Sequence, residues 1–494
     1  MKNLGPFLPA FRHLLGPMGS RAQDHLRKVR QATLSQIEDR LCPALPAELF
    51  KNFAGGDFSR DRVYTLARTF WCWIWQVLQA NTSCRAVVRQ VQALFAARGG
   101  AAVDQATGGY CSARRNLPLT WLVKIFAAVF QSAEAAAPQG KLLQGRPLRM
   151  VDGSGARLAD TPKNRQASPP SKNLPKGTGF PYMRILCLFS AVSGAILARA
   201  TGSLHNCELE LTLSLLGQLQ KNDILVGDRA YGIYLMAALL QLLGIDLIAR
   251  VSASRRIDFR TAKAKFGPND RLMCWNKPVK ASVLVRSQKW QQLPWQITLR
   301  LIRLTIQEKG FRTHQLTIVT TLLDPQLYPA QEILAAYLKR WRMEMCFDDL
   351  KTTLHMEQLT CLWPNMVEKE LIIFLTAHNF LRWIMAEAAR TEEVPLERIS
   401  FKGTLDGFRE WTQAIAQLGC SSRHKRKRAA LWKKFLQTLA ADLVPERPGR
   451  CEPRAVKRRS KYPYLNKPRH KYVDRWSRKK RRRMATARKN AALN

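Results

Sequence analysis

The spacing of apolar positions divides the chain into stretches of different texture. From about residue 24 to 135, apolar residues recur at helical intervals, most clearly over 63–78 and 86–97, with no strand-like alternation. Trp71, Trp73 and Trp75 crowd one such segment and read as core packing rather than as base-stacking platforms. Near Gly145 the texture changes. Residues 148–151 are a short apolar run ending in Asp152-Gly153-Ser154, and residues 161–181 read as a long loop with five prolines and Gly177-Thr178-Gly179. Residues 183–190 and 195–200, separated by Ser193-Gly194, predict a β-hairpin. There follow a helix over 207–220, a strand over 224–227 ending at Asp228, a helix over 231–243 and a strand over 245–251. A hairpin followed by alternating strands and helices predicts a mixed α/β sheet.

Residues 255–325 interrupt that alternation and read as a β-rich insertion. Strand-like runs cover 281–286 and 295–306. In the second, apolar positions change parity between 301 and 302, which predicts a bulge. Another strand is expected over 316–323, a long helix over 329–354 and a further helix over 367–390. The organisation expected is thus a helical N-terminal region (1–135), a first α/β part (145–254), the insertion (255–325), a last α/β part with the long helix (326–392) and a C-terminal region with a basic tail (393–494).

Charge narrows the partner class. The chain of 494 residues has 80 Lys+Arg against 36 Asp+Glu, a net charge of +44. A field of one sign and that size suits a polyanion, nucleic acid first and an acidic membrane surface second. Residues 451–494 alone carry 17 Lys/Arg and 2 Asp/Glu, so polyanion contact is the use expected of this tail. The eleven cysteines are odd in number and form no CxxC pair. Neither a disulfide framework nor a cysteine zinc site is expected, and a reducing cytosol fits. Arg12 and His13 interrupt the apolar N-terminal stretch, and no uninterrupted apolar run reaches ~20 residues, so no membrane span is expected.

No phosphate loop, HExxH or GxSxG elbow is present, and the eight histidines are scattered. Carboxylates are scarce and therefore informative. Asp152 and Asp228 are each expected to end an apolar strand, where sites of α/β sheets gather. Two such groups together repel unless a cation lies between them, and oxygen donors favour Mg²⁺. Asp324, ahead of Pro325, reads as a turn residue. In the long helix, at ~100° per residue, Arg340, Glu344 and Lys351 fall within about 60° of Tyr337. A carboxylate flanked by two cations and a phenol suits a metal beside a phosphodiester. Asp348 lies on the same side, and geometry alone leaves it a rival to Glu344.

The spacing Y-x2-R-x3-E-x6-K resembles the signature of bacterial insertion-sequence transposases of group four, which carry a DDE triad. Val151-Asp152-Gly153-Ser154, Val226-Gly227-Asp228-Arg229-Ala230-Tyr231, Thr320-Thr321-Leu322-Leu323-Asp324-Pro325 and the C-terminal Glu452-Pro453-Arg454 with Lys457-Arg458-Arg459 are similar to that family too. The resemblance spans roughly residues 105–470. It implies a ribonuclease-H-like core with a β insertion ahead of the last catalytic helix. It implies Asp152, Asp228 and Glu344 as the acidic triad and metal ligands, choosing Glu344 over Asp348. Tyr337, Arg340, Lys351 and Arg229 become the DNA-binding residues. Two Mg²⁺ ions, with Mn²⁺ as a substitute, are the implied cofactor. The implied partners are double-stranded DNA, both transposon ends and target, and a second copy of the chain in the DNA complex. A bacterial cytoplasm, at the nucleoid, is the implied location. Some relatives place a tryptophan just before the last insertion strand to receive a flipped base; here that stretch reads Thr313-His314-Gln315-Leu316. A stand-alone nuclease and a catalytically inactive DNA-binding relative are the alternative readings.

Overall fold

The computed structural model describes residues 40–445, apart from 51–62, 80–81, 98–100, 172–177, 252–256, 281–289, 306–314, 417 and 419–421. The strand expected over 281–286, the stretch Thr313-His314 and the basic tail lie outside the described residues. Four helices come first: α1 (Leu66–Leu78), α2 (Cys84–Ala97), α3 (Gly108–Asn116) and α4 (Leu119–Ala136). Then come β1 (Leu148–Leu158), α5 (Pro162–Ala167), β2 (Tyr182–Ser190), β3 (Ile196–Ser203), α6 (Glu208–Leu215), β4 (Ile224–Gly227), α7 (Tyr234–Leu242) and β5 (Asp246–Arg250). The β-rich stretch supplies β6 (Ala264–Gly267), β7 (Asp270–Asn276), β8 (Gln296–Thr305) and β9 (Gln315–Thr320). The chain continues with α8 (Ala330–Leu338), α9 (Trp341–Asp348), β10 (Gln358–Leu359), α10 (Pro364–Thr391), α11 (Phe401–Ala416) and α12 (Lys425–Ala441).

One mixed sheet organises these elements, in the order β3-β2-β1-β4-β5-β9-β8-β7-β6, with β10 beside the far end of β1. The β1–β2–β3 meander is antiparallel, β1–β4 and β4–β5 are parallel, and β9 to β6 extend the same sheet antiparallel beyond β5. Gly194, at φ +70°, turns the β2–β3 hairpin. Every residue of β4 is buried, as a central parallel strand covered on both faces requires. Successive residues feed opposite cores. Met150, Ile185 and Ile224 face one, with α1, α4 and α10; Val151, Leu186 and Leu225 face the other, with α6 and α7. Trp71 and Trp73 are buried in the first core, where Phe50, Phe70 and Trp121 pack ring to ring around Trp71. Helix α4 is long and apolar enough to cross a membrane by length and composition, yet Trp121, Leu122, Ile125 and Val129 pack it into this core.

Four sequence expectations change. The strand from Leu148 continues to Leu158, because β1 pairs with β2 through Asp152↔Cys187 as far as Arg157↔Tyr182. Asp152 is therefore inside a strand, not at its end. The loop over 161–181 holds the short helix α5, started by Thr161, whose hydroxyl accepts from the Asn164 amide, and by Pro162 in the first turn. Strand β8 pairs with β7 and β9 in unbroken register, with no bulge. The parity change arises because Leu301 and Ile302 are both buried, one in each core. The single helix expected over 329–354 is three pieces: α8, a turn at Lys339-Arg340, then α9 running into a π turn over Asp349–Thr353.

Candidate active site

Strand register brings the two aspartates together. In the parallel β1–β4 ladder, Leu148, Arg149 and Met150 pair with Ile224, Leu225 and Val226. Asp152 and Asp228 each lie two residues beyond the last pair of this ladder, and both carboxylates act on the Tyr231 phenol. Asp228 directly follows β4, so the pair lies where the parallel part of the sheet ends, although β1 itself runs on. Both side chains are half-buried.

The turn after β4 is built by close approach. The Asp228 Oδ1 accepts from the Ala230 amide at 2.7 Å, and its carbonyl accepts from the Tyr231 amide at 3.2 Å. Gly227 is required because a Cβ there would stand 2.6 Å from the Tyr231 ring. Gly232 lets the backbone pass the Arg250 carbonyl, 2.4 Å from where its Cβ would be. Tyr231 is buried, and its hydroxyl pairs with Thr212 Oγ1 at 3.0 Å. Burial is the main reason that its phenol is pushed above the usual range; the Thr212 hydrogen bond opposes this, and the fields of Glu208, Asp228 and Asp152 add to it.

Glu208 packs on the other face of β1, a close approach that sequence reasoning missed. It opens α6, capped by Cys207, and its carboxyl occupies the space of the side chain that Gly153 lacks, 2.9 Å from the Cβ position. Arg184 Nη1 lies 4.0 Å from its Oε1. The glycine of Asp152-Gly153-Ser154 thus admits Glu208 against the sheet face opposite to the one Asp152 takes, since successive residues of β1 face opposite cores. The only signal was a glycine inside a strand pattern, which marks close approach without saying of what.

The helix row takes up the other side. Helix α9 lies against β1, with Phe347 edge-on to Phe189 of β2 at 5.2 Å between ring centroids. Glu344 is within α9, but its side chain, like those of residues 341–343, is outside those described. Tyr337 is buried near the end of α8. Burial raises its phenol most; Arg340 and Arg250 lower it, and Asp228 raises it, so these four groups share one neighbourhood. The Arg340 guanidinium carbon is 6.0 Å from the Tyr337 ring centroid. Arg250, at the end of β5, is a cation absent from the expected site. Asp348 is exposed and accepts from Thr352 Oγ1 at 2.9 Å. Lys351 stands in the π turn, where the i→i+5 spacing advances each residue by less than the ~100° of an α-helix. It therefore swings off the line of Glu344. Arg229 is exposed beside Asp228, and Asp324 holds a turn by accepting from the Gln326 and Leu327 amides.

Asp152 and Asp228 offer carboxylate oxygens, the donors that hard divalent cations take. Among the described residues no group of three or more His, Cys, Asp or Glu side chains is close enough to hold an ion.

Residues 143–380 match the family described as transposase DDE domain, a stretch running from just before β1 into α10. The chain is similar to the transposase InsG for insertion sequence element IS4 of Escherichia coli (strain K12), 26% identical over 358 residues, which is 72% of this chain and 77% of that protein. A solved structure, the cryo-EM structure of the piggyBac transposase synaptic complex with hairpin DNA, aligns over 88% of this chain and 87% of that one, at 10% identity and a TM-score of 0.38. The matched stretch spans both strand aspartates and the helix motif, and the chain is similar there to the IS4-type DDE transposases.

Proposed function

We propose that this DNA transposase cleaves at the ends of its insertion sequence and joins them to target DNA at one site, built from Asp152, Asp228 and Glu344 on a ribonuclease-H-like core. The observation that supports this reading is the parallel β1–β4 ladder, beyond whose last pair each motif aspartate follows by two residues, with α9 packed against β1. Asp152 and Asp228 would hold two Mg²⁺ ions, or Mn²⁺, with Glu344 closing the set from the helix. Bound there, such ions would supply activation of water or a 3′-hydroxyl and stabilisation of the leaving oxygen. Arg340, beside Tyr337 and Asp228, would hold a non-bridging oxygen of the scissile phosphate, and Arg250 adds positive field on the same side. Lys351 and Arg229 would hold flanking phosphates. Two ends must be joined in one event, so a homodimer on DNA is the assembly proposed, in the bacterial cytoplasm at the nucleoid.

The test is a reaction of the purified chain with DNA bearing the element's own ends, Mg²⁺ and a target plasmid. Cleavage at the ends followed by covalent joining to the plasmid supports the reading. Cleavage without joining would make the protein a nuclease, and end binding without cleavage a catalytically inactive relative.

A further inference from the structure

The helix that carries Glu344 and Lys351 is not fixed by the sheet register that places the aspartates. What holds it, besides Phe347 against Phe189, is a partly buried ion pair on its far side. Arg382, on α10, donates from Nη2 to Asp349 Oδ2 at 2.8 Å and to Cys346 Sγ at 3.2 Å. Cys346 is in α9, and Asp349 opens the π turn that follows it. At ~100° per residue, Cys346 and Asp349 lie about 200° and 140° round from Glu344, on the opposite face. Arg382 and Asp349 are 12% and 18% exposed, so water screens the pair little.

The guanidinium is boxed in. Gly194, in the β2–β3 turn, has no side chain there; its Cβ would stand 3.2 Å from the Arg382 Cζ. Phe401 of α11 presents its ring 5.2 Å from that carbon. Helix α10 is itself tied to the sheet one turn earlier. Asn379 accepts from the Ile196 amide at 2.8 Å and donates to the Ile196 carbonyl at 2.9 Å. A strut therefore runs from β3 through Asn379 and Arg382 to Asp349 and Cys346. Beside it is a cavity of about 270 Å³, lined by Met345, Cys346, Asp349, Ser400 and Lys402. Without the arginine, α9 has room to roll into that space.

We propose that Arg382 is a positioning residue for catalysis: through Asp349 and Cys346 it sets the rotation of the catalytic helix, and so where Glu344 meets the metal. It touches neither DNA nor metal in this role. The inference rests on the reading of Glu344 as the third carboxylate. A helix roll that displaces that carboxylate by ~1 Å is enough to slow a positioned reaction by about 10²-fold. Partners one step removed from a metal ligand alter metal affinity or activity by ~10–100-fold.

The experiment compares the full-length chain with Arg382→Met, Arg382→Lys, Asp349→Asn and the Arg382→Met/Asp349→Asn double variant. Three quantities are read: the thermal midpoint without metal, the rise of that midpoint with Mn²⁺, and single-turnover end cleavage against Mn²⁺ concentration at saturating DNA. Expected for Arg382→Met are a half-saturating Mn²⁺ raised ~tenfold, cleavage reduced by ~10²-fold at fixed Mn²⁺ and end binding unchanged. Arg382→Lys should recover most of the loss, and the double variant should be no worse than Arg382→Met, since the two residues act as one unit. If Arg382→Met folds poorly, Asp349→Asn carries the test through its shifted Mn²⁺ dependence, with the near-normal Arg382→Lys as its reference. An unchanged Mn²⁺ dependence in variants whose cleavage falls only with the folded fraction would overturn the proposal. Normal cleavage by Glu344→Gln with Arg382 and Asp349 intact would instead overturn the assignment of Glu344.

Discussion

The two halves of the catalytic constellation are held by different physics. Asp152 and Asp228 are placed by a parallel ladder, in which backbone hydrogen bonds fix the relative level of two strands and burial on both faces forbids a slip. Glu344 and Lys351 are placed by side chains: Phe347 against Phe189 on one side, and Arg382 with Asp349 and Cys346 on the other. A ladder distributes its hold over many bonds, whereas the helix depends on a few contacts. Substitutions near the strand acids should therefore act through the acids themselves or by steric collision. Those near the helix should act through small displacements. The helix is also the irregular element, with a turn at Lys339-Arg340 and a π turn directly after α9.

The largest effect should come from the strand acids. Asp152→Ala and Asp228→Ala should each lower end cleavage by ~10³-fold or more, because the bound ions supply several kcal/mol of transition-state stabilisation. End binding should be kept, since neither change removes a phosphate-binding cation; a mobility-shift titration beside a cleavage assay reads both. Asp348→Ala, by contrast, should cleave normally, because that carboxyl is exposed and bonded to Thr352. Loss of cleavage in Asp348→Ala together with activity in Glu344→Ala would move the third ligand one turn along.

Next in size is Gly227→Ala, which attacks the strand side by collision. Its Cβ would stand 2.6 Å from the Tyr231 ring, and that ring is held by burial and by Thr212. Overpacking of this kind costs about 1–3 kcal/mol. The denaturant midpoint should fall accordingly, and cleavage should fall further than the folded fraction explains, because Asp228 is the next residue.

The helix side should reveal itself in pH dependence. Burial pushes the Asp349 carboxyl up to about 6, with Arg382 lowering it and Asp348 raising it. Glu397 and Lys402 are the other charged groups lining the adjoining cavity. The folded value is above the ordinary ~3.9, so the folded chain holds this proton more tightly than the unfolded chain does. Stability from this group is therefore fullest below pH ~4 and is lost as the pH rises through about 6. The charge that pairs with Arg382 appears over that same interval. Activity and stability should thus move in opposite directions: between pH 7 and 5, this group should slow cleavage by about tenfold per pH unit below its pKa while raising the unfolding midpoint. Asp349→Asn should remove both slopes. A wild-type profile identical to that of Asp349→Asn would show that the ion pair is irrelevant to the helix's aim.

How much was legible beforehand follows the same division. Strand β4 was readable to the residue, since four apolar residues between a turn and an aspartate admit few readings. The β2–β3 hairpin and α10 were readable to within a few residues because their periodicity is long and clean. The continuation of β1 through Gly153-Ser154-Gly155 was not. Glycines read as loop until their partners are known, and those partners, Glu208 and Tyr182, are distant in sequence. The break between α8 and α9 was also invisible, since both halves and the turn share helical spacing. Arg382 gave no signal at all: an arginine on a half-apolar helix reads as a solvated residue, and its meaning depends on a glycine turn and an aspartate from other elements. Spacing put Asp348 and Glu344 on one side of the helix, and the hydrogen bond that Asp348 accepts from Thr352 could not be read from it.

Lys351→Ala should have the smallest effect, and it sharpens the comparison most finely. Lys351 follows Asp349 by two residues, inside the π turn, so the same clamp that aims Glu344 also sets where this cation stands. It is seven residues beyond Glu344, a rise of ~10 Å at 1.5 Å per residue, too far for both to serve one phosphate. If Lys351 neutralises one flanking phosphate, its loss should weaken end binding a few-fold and reduce the slope of log K against log[salt] by about 0.9. Single-turnover cleavage at saturating DNA should stay within about threefold of wild type, because the scissile phosphate is held by other groups. Binding isotherms at four or five salt concentrations, with cleavage measured in the same buffers, give both numbers. A slope that does not change would place Lys351 off the DNA. A large loss of cleavage at saturating DNA would mean that the π turn reaches the reacting phosphate, and that the helix side performs chemistry at two points rather than one.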